Sequence, residues 1–419
     1  MPIRAGLPAF QQHTYASRDF LAKFALFFFG IALWSKKPSL YAYYLLVASW
    51  IVAGGGLERL KEVAREPFVK AMLILCLLVA AGILYSDGPE AGHKVWQRYF
   101  AFLIFIPYFT LMSAKRLPWA VGGLVLGYVG VLFLGAYQWL MMGAQGIPPL
   151  RITYLDFSFM LAIGVLLSLF LAGSSNSRSM RVLWWIVALW LLFMQFHQNA
   201  RAILLATIIS SGLLVFLLHK KNIKTFASIM AVAAVAIGIF SYQSDTLRER
   251  LMQARSDIEL SKQHKYNTSL GYRLAMWDVG LHGISERPFS GHGTGMAASY
   301  FDKTIPTYKN GIYGNLLQFH EETYHYHNDW IEIGMQIGIA GLAAYAFLLW
   351  SWFQALRLHH LAIPGAAFLC FIFLFGLTDV LVIFRQNLYL LLALTAVGLT
   401  WKAPGGIQFY GAKGSPAHA

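Results

Sequence analysis

Charge is scarce in this 419-residue chain: Asp, Glu, Lys and Arg make up 12% of it, about half the share in an ordinary soluble protein. So little charge beside 58% hydrophobic residues excludes a disordered chain and a string of soluble domains. Cysteine is nearly absent. Cys76 and Cys370 each sit inside an apolar run, which excludes a disulfide framework and a cysteine metal knuckle. No Lys-Ser/Thr pair follows a glycine-rich run, so a Walker A loop is missing. There is no internal repeat and no β-barrel alternation. A basic tract interleaved with aromatics is also missing, which argues against nucleic acid as a partner. No small-residue cleavage site follows the first apolar run, Phe20 to Trp34, so this run is expected to be a retained span rather than a signal peptide.

What the chain does contain is long apolar stretches. Twelve can be counted, near residues 20–35, 38–56, 67–86, 96–113, 118–142, 154–173, 181–197, 201–218, 224–242, 329–353, 361–384 and 386–402. Each suits a helix crossing a hydrocarbon layer of about 30 Å, and backbone groups in lipid must pair within their own segment. The fold expected is all-α and polytopic, with membrane lipids as its surroundings. Residues 1–242 should hold nine spans, 243–328 a hydrophilic insert, 329–402 three more spans, and 403–419 a glycine-rich tail.

The 33 basic and 19 acidic residues give a net charge of +14, and the basic ones mark one side. Arg59, Lys61 and Arg65, then Lys115 and Arg116, Arg178 and Arg181, Lys220, Lys221 and Lys224, and Arg357 fall in alternate connectors, together with both termini. The positive-inside rule places that side in the cytoplasm. The insert 243–328 then faces outward, with nine Lys/Arg balanced by nine Asp/Glu. Insertions of this length are usually functional. A helix is expected over Asp245 to Glu259 and a second after Thr268 or Ser269, either of which can cap it.

Four polar features gather at the outer face. Arg201 follows His197-Gln198-Asn199-Ala200 at a span end, where an arginine can simply snorkel. Arg273 and Trp277, four apart, share a helix face, and a surface arginine packed on an aromatic would look the same. Glu286-Arg287-Pro288-Phe289-Ser290-Gly291-His292-Gly293-Thr294-Gly295 can bring backbone N–H groups to an anion or can be a plain turn. His325-Tyr326-His327-Asn328 closes the insert. A metal site would have to be built from His320-Glu321-Glu322-Thr323-Tyr324-His325. The histidines are one residue too far apart for the His-Glu-x-x-His pattern and lie on different helix faces, so no metal site is expected.

His327-Asn328, nine residues, then Gly338-Ile339-Ala340-Gly341 resembles the His-Asn-x9-Gly-x-x-Gly signature of the bacterial O-antigen ligase and O-antigen polymerase superfamily. Leu-Gly-Tyr-Arg273-x-x-x-Trp277 and the Glu-Arg-Pro-Phe-x-Gly-x-Gly stretch resemble two further motifs of that family, in the expected order. Asn199-Ala200-Arg201-Ala202 resembles its Ser-x-Ser-Arg-x-Ala element, with Asn in place of Ser. These resemblances cover roughly residues 197–345.

The resemblance implies a multi-pass membrane glycosyltransferase of the Gram-negative inner membrane, acting on its periplasmic side. Its donor would be an O-antigen glycan on undecaprenyl diphosphate and its acceptor a sugar of lipid A-core. No cofactor, nucleotide or metal is implied. Arg201 and Arg273 would bind the diphosphate, since guanidinium groups grip phosphate oxygens without ever losing charge. His327 would be the general base taking the acceptor hydroxyl proton, giving inversion, with His325 as second choice. Asn328 and Trp277 would support it, Asn328 by orienting the imidazole. Gly338 and Gly341 would let the tenth span pack closely on a neighbour. The length, basic balance and single long loop resemble the ligase branch. Polymerases usually carry two substantial loops, and protein-glycosylating oligosaccharyltransferases of the superfamily extra sequence after the last spans. A transporter or lipid flippase would call for paired broken spans in two similar halves, and none is visible.

Overall fold

The computed structural model describes residues 9–53, 56–143, 147–243, 245–319 and 325–401. The expected tail at 403–419 and the residues His320, Glu321 and Glu322 lie outside them.

The apolar stretches of the sequence form helices, and no strand occurs among the described residues. The chain is an all-α polytopic membrane protein. Six helices are long and apolar enough to cross a membrane by length and composition: Pro67–Tyr85, Leu117–Met141, Tyr154–Ser174, Arg178–Phe196, Arg201–His219 and Asp329–Leu358. Other expected spans are helical but interrupted, charged or short. Ala9–Ala32 carries Arg18, Asp19 and Lys23, Pro89–Leu103 and Phe105–Leu111 divide one stretch, and Ala362–Gly376 has 15 residues. Around the bundle, Ile51, Leu77, Phe133, Leu140 and Val232 each expose 67% or more of their surface. Such a belt is unfavourable in water and is what a lipid-facing surface requires.

Inside, the helices pack on large buried side chains such as Trp352, Phe68, Phe105 and Phe159. Some of the buried polar groups tie helices together. The Gln195 amide donates to the Ser158 carbonyl and to the Ser158 and Thr207 hydroxyls at 2.9–3.2 Å. This binds Tyr154–Ser174, Arg178–Phe196 and Arg201–His219 into one unit and fixes the connector from which Arg201 emerges.

The insert has its own small core of Met276, Val279, Phe301, Tyr313, Tyr326 and Met335. Its helices are Asp245–Lys262, Ser269–Glu286 and Ala297–Thr304. Thr268 caps the second, its hydroxyl accepting from the Gly271 N–H at 3.0 Å. Asp278 on that helix accepts from the Lys309 ammonium at 2.6 Å and the Tyr313 hydroxyl at 2.7 Å. Burial works against its charge, yet these bonds prevail and hold its carboxyl below the usual range.

The expectation for Gly338 needs correction. It does not serve as a packing surface in a regular helix. Ile337 and Gly338 leave helical geometry inside Asp329–Leu358, with Gly338 at φ 61, ψ −155, a region open essentially to glycine alone. The kink receives the glycine-rich run. His292 and Gly293 donate backbone N–H groups to the carbonyls of Met335 and Gln336 at 2.8 and 2.9 Å, and Ile339 donates to the Pro288 carbonyl at 2.8 Å. A Cβ on Gly338 would fall 2.5 Å from the Phe289 carbonyl. Gly338→Ala should therefore cost about 1–3 kcal/mol in backbone strain alone and lower the thermal midpoint of the purified protein. Gly212→Ala, where nothing lies within 4 Å of the added carbon, should not. Equal midpoints for the two variants would show that the interlock is dispensable.

Candidate functional site

The loop that closes the insert is held from several directions. The Tyr326 N–H donates to the Glu332 carboxylate at 2.9 Å, the Gln336 amide donates to the same carboxylate at 2.6 Å, and Gln336 accepts from the Gly295 N–H at 3.1 Å. The Trp277 indole donates to the Tyr326 carbonyl at 3.1 Å. Trp277 therefore fixes the backbone between the two histidines, on the same helix face as Arg273. The N–H groups of the glycine-rich run are used in this docking, which settles its two readings in favour of a structural turn.

His327 sits at φ 49, an uncommon conformation for a residue with a side chain. Its N–H donates to His325 Nδ1 at 3.1 Å. The next two residues pin a distant loop. The Asn328 side chain caps Asp329–Leu358, accepting from the N–H groups of Trp330 and Ile331, and its amide donates to the Leu377 carbonyl at 3.0 Å. Asp329 accepts from the Leu381 N–H at 3.0 Å and the Tyr345 hydroxyl at 2.7 Å. Between these anchors lies Asp379, 3% exposed, with its carboxylate 3.5 Å from His327 Nδ1. Asn328 thus places the partner of the imidazole instead of bonding the ring itself.

Arg201, Arg273 and Asp379 line one pocket of about 470 Å³, with Asp257, Gln253 and the 199–203 connector. Arg201 opens its helix and donates to the Gln253 amide oxygen. Arg273 has no hydrogen-bonded or ion-paired partner among the described residues. His327 is not itself in the lining; its ring approaches the pocket through its contact with Asp379. Burial, reinforced by His327, Arg98 and Arg273, pushes His325 down to about 3, so this ring is neutral and a poor base.

His325, His327 and Asp379 offer ligand atoms within 4.8 Å of one another, a spacing that by itself would admit a cation. Two features oppose one. Nδ1 of His325 is already an acceptor for the His327 N–H, and the charges of Arg98 and Arg273 reach the cluster.

None of the sequence motifs specifies Asp379, Asp329 or Glu332. The signal was there. Asp379 is the single acidic residue between 361 and 401, and an ionisable group inside an apolar stretch is costly unless paired or used.

Residues 186–346 match the family model described as O-Antigen ligase. That range contains Arg201, Arg273, the glycine-rich run and His327, and ends before Asp379. Over 156 residues the chain is 29% identical to an O-antigen ligase of Escherichia coli (strain K12). The aligned part is 37% of this chain and 36% of that protein, so it spans about a third of the relative's length. Over residues 186–346, less than half of the chain, the sequence is thus similar to the O-antigen ligase family.

Proposed function

We propose that this protein is an O-antigen ligase, transferring a glycan from undecaprenyl diphosphate to a sugar hydroxyl of lipid A-core. The observation that carries the reading is the pocket lined by Arg201, Arg273 and Asp379, with the His327 ring against Asp379. The arginines bind the diphosphate and take up its growing charge as the glycosidic C–O bond breaks. With Nδ1 turned to Asp379, Nε2 is the nitrogen left for the acceptor. The hydroxyl oxygen attacks the anomeric carbon from the face opposite the diphosphate, its proton passes to His327, and undecaprenyl diphosphate departs with inversion. Asp379 stabilises the imidazolium that forms.

Purified protein given lipid-linked glycan and lipid A-core, with EDTA and without nucleotide, should yield glycosylated lipid A-core. A chain lengthened on the polyprenyl carrier instead would make the protein a polymerase. Loss of product on chelation, restored by a divalent ion, would revive the His325–His327–Asp379 cluster as a metal site.

The site is proposed to face the periplasm of a Gram-negative cell, on the basic bias of the opposite connectors. In a cysteine-labelling experiment on intact cells, an impermeant reagent should reach a probe at Ser256 and miss one at Asn222. The opposite pattern would invert the topology.

A further inference from the structure

The loop that presents Asp379 has a second face. Thr378 and Asp379 line the Arg201–Arg273 pocket, while Val382, Ile383, Arg385 and Gln386, a few residues on, line another of about 190 Å³. The second pocket is completed by Arg98, Ser39, Leu40 and Tyr389. Arg98 comes from Pro89–Leu103 and Arg385 opens Arg385–Trp401.

The two pockets differ in charge. The first sets two arginines against two carboxylates, Asp257 and Asp379. The second has two arginines and no acidic residue in its lining. Neither Arg98 nor Arg385 has a hydrogen-bonded or ion-paired partner among the described residues. The carboxylate of Glu332 lies within electrostatic reach of Arg98 but is already engaged by Gln336 and the Tyr326 N–H. Two guanidinium groups beside a serine and a glutamine, in a space of this size, suit a phosphate group.

We infer that the Arg98–Arg385 pocket binds a phosphate group of the acceptor glycolipid, on the far side of the Asp379 loop from the donor diphosphate. The inference rests on the ligase reading. It assigns the two substrates to opposite faces of one loop, with the His327–Asp379 pair at their junction. Phosphates on the acceptor then fix which of its sugar hydroxyls arrives at the base.

The test uses the full chain in nanodiscs of zwitterionic phospholipid. The probes are lipid A-core and the same material after its phosphates are removed with hydrofluoric acid. Dephosphorylation should raise the wild-type KM for the acceptor by about tenfold or more, the scale of a lost charge-assisted contact. Arg98→Gln/Arg385→Gln should show that rise with intact acceptor and no further rise with the dephosphorylated one. Its KM for the donor should not change. If the double variant does not purify folded, Arg385→Gln, at an exposed position, takes its place. A raised donor KM would give the pocket to the donor and overturn the inference. So would an unchanged acceptor KM, or a defect that appears only when anionic phospholipid is added. Equilibrium binding of lipid A-core without donor keeps the test separate from the ligase reading. If the wild type makes no ligated product, that reading falls, while weaker binding by the double variant still supports the pocket and equal binding overturns it.

Discussion

His327→Ala should lower glycan transfer by about 10²–10⁴-fold, the usual cost of removing a general base, while donor binding survives. An acceptor sugar hydroxyl is too weakly acidic to attack unaided at neutral pH, so its proton must leave as the new bond forms. In the proposed reaction the imidazole would meet that need, since its Nδ1 lies 3.5 Å from the buried Asp379 carboxylate, a distance that can tighten as the ring gains charge. Asp379→Asn keeps the shape and removes the charge, and should lose a comparable part of the rate. His325→Ala should do less harm. Burial pushes that ring down to about 3, so it is a poor base, and what it supplies is an acceptor for the His327 N–H. Single-turnover transfer by the three variants, beside binding of lipid-linked donor, separates these roles. A fully active His327→Ala enzyme would remove the base assignment.

Arg273→Ala should cost about 10²–10³-fold in turnover, the loss typical of removing one donor that faces developing charge. Arg201 is already bonded to Gln253, whereas Arg273 enters the pocket without a protein partner among the described residues. Under the proposed reading, the hydrogen-bonding capacity that no described residue takes up is what the diphosphate would use. Arg273→Lys should recover only part of the loss, because a point charge replaces a planar fork. Weaker inhibition by free undecaprenyl diphosphate should accompany both variants. Wild-type turnover in both, with normal folding, would exclude the diphosphate role.

Much of this molecule follows from residue pattern alone. Apolar stretches of span length must be helical in lipid, because no water is present to satisfy a free backbone. The order Arg201, Arg273, glycine-rich run and His327 was readable because each feature is local in the chain. Trp277 shares a helix face with Arg273 by simple spacing. Geometry between distant segments was not readable. The glycine-rich run and Gly338 are far apart in sequence, and each admits several meanings: an anion nest, a turn, a packing surface. Only their interlock, in which backbone N–H groups must find the carbonyls released by a kink, selects one. Asp379 lies 52 residues beyond His327. Its role depends on Asn328 and Asp329 reaching across to Leu377 and Leu381, bonds that exist only once the last helices have packed. Sequence fixes which groups can carry charge and proton. Tertiary packing decides which of them meet, because in a low-dielectric interior a buried carboxylate persists only beside partners that the fold supplies.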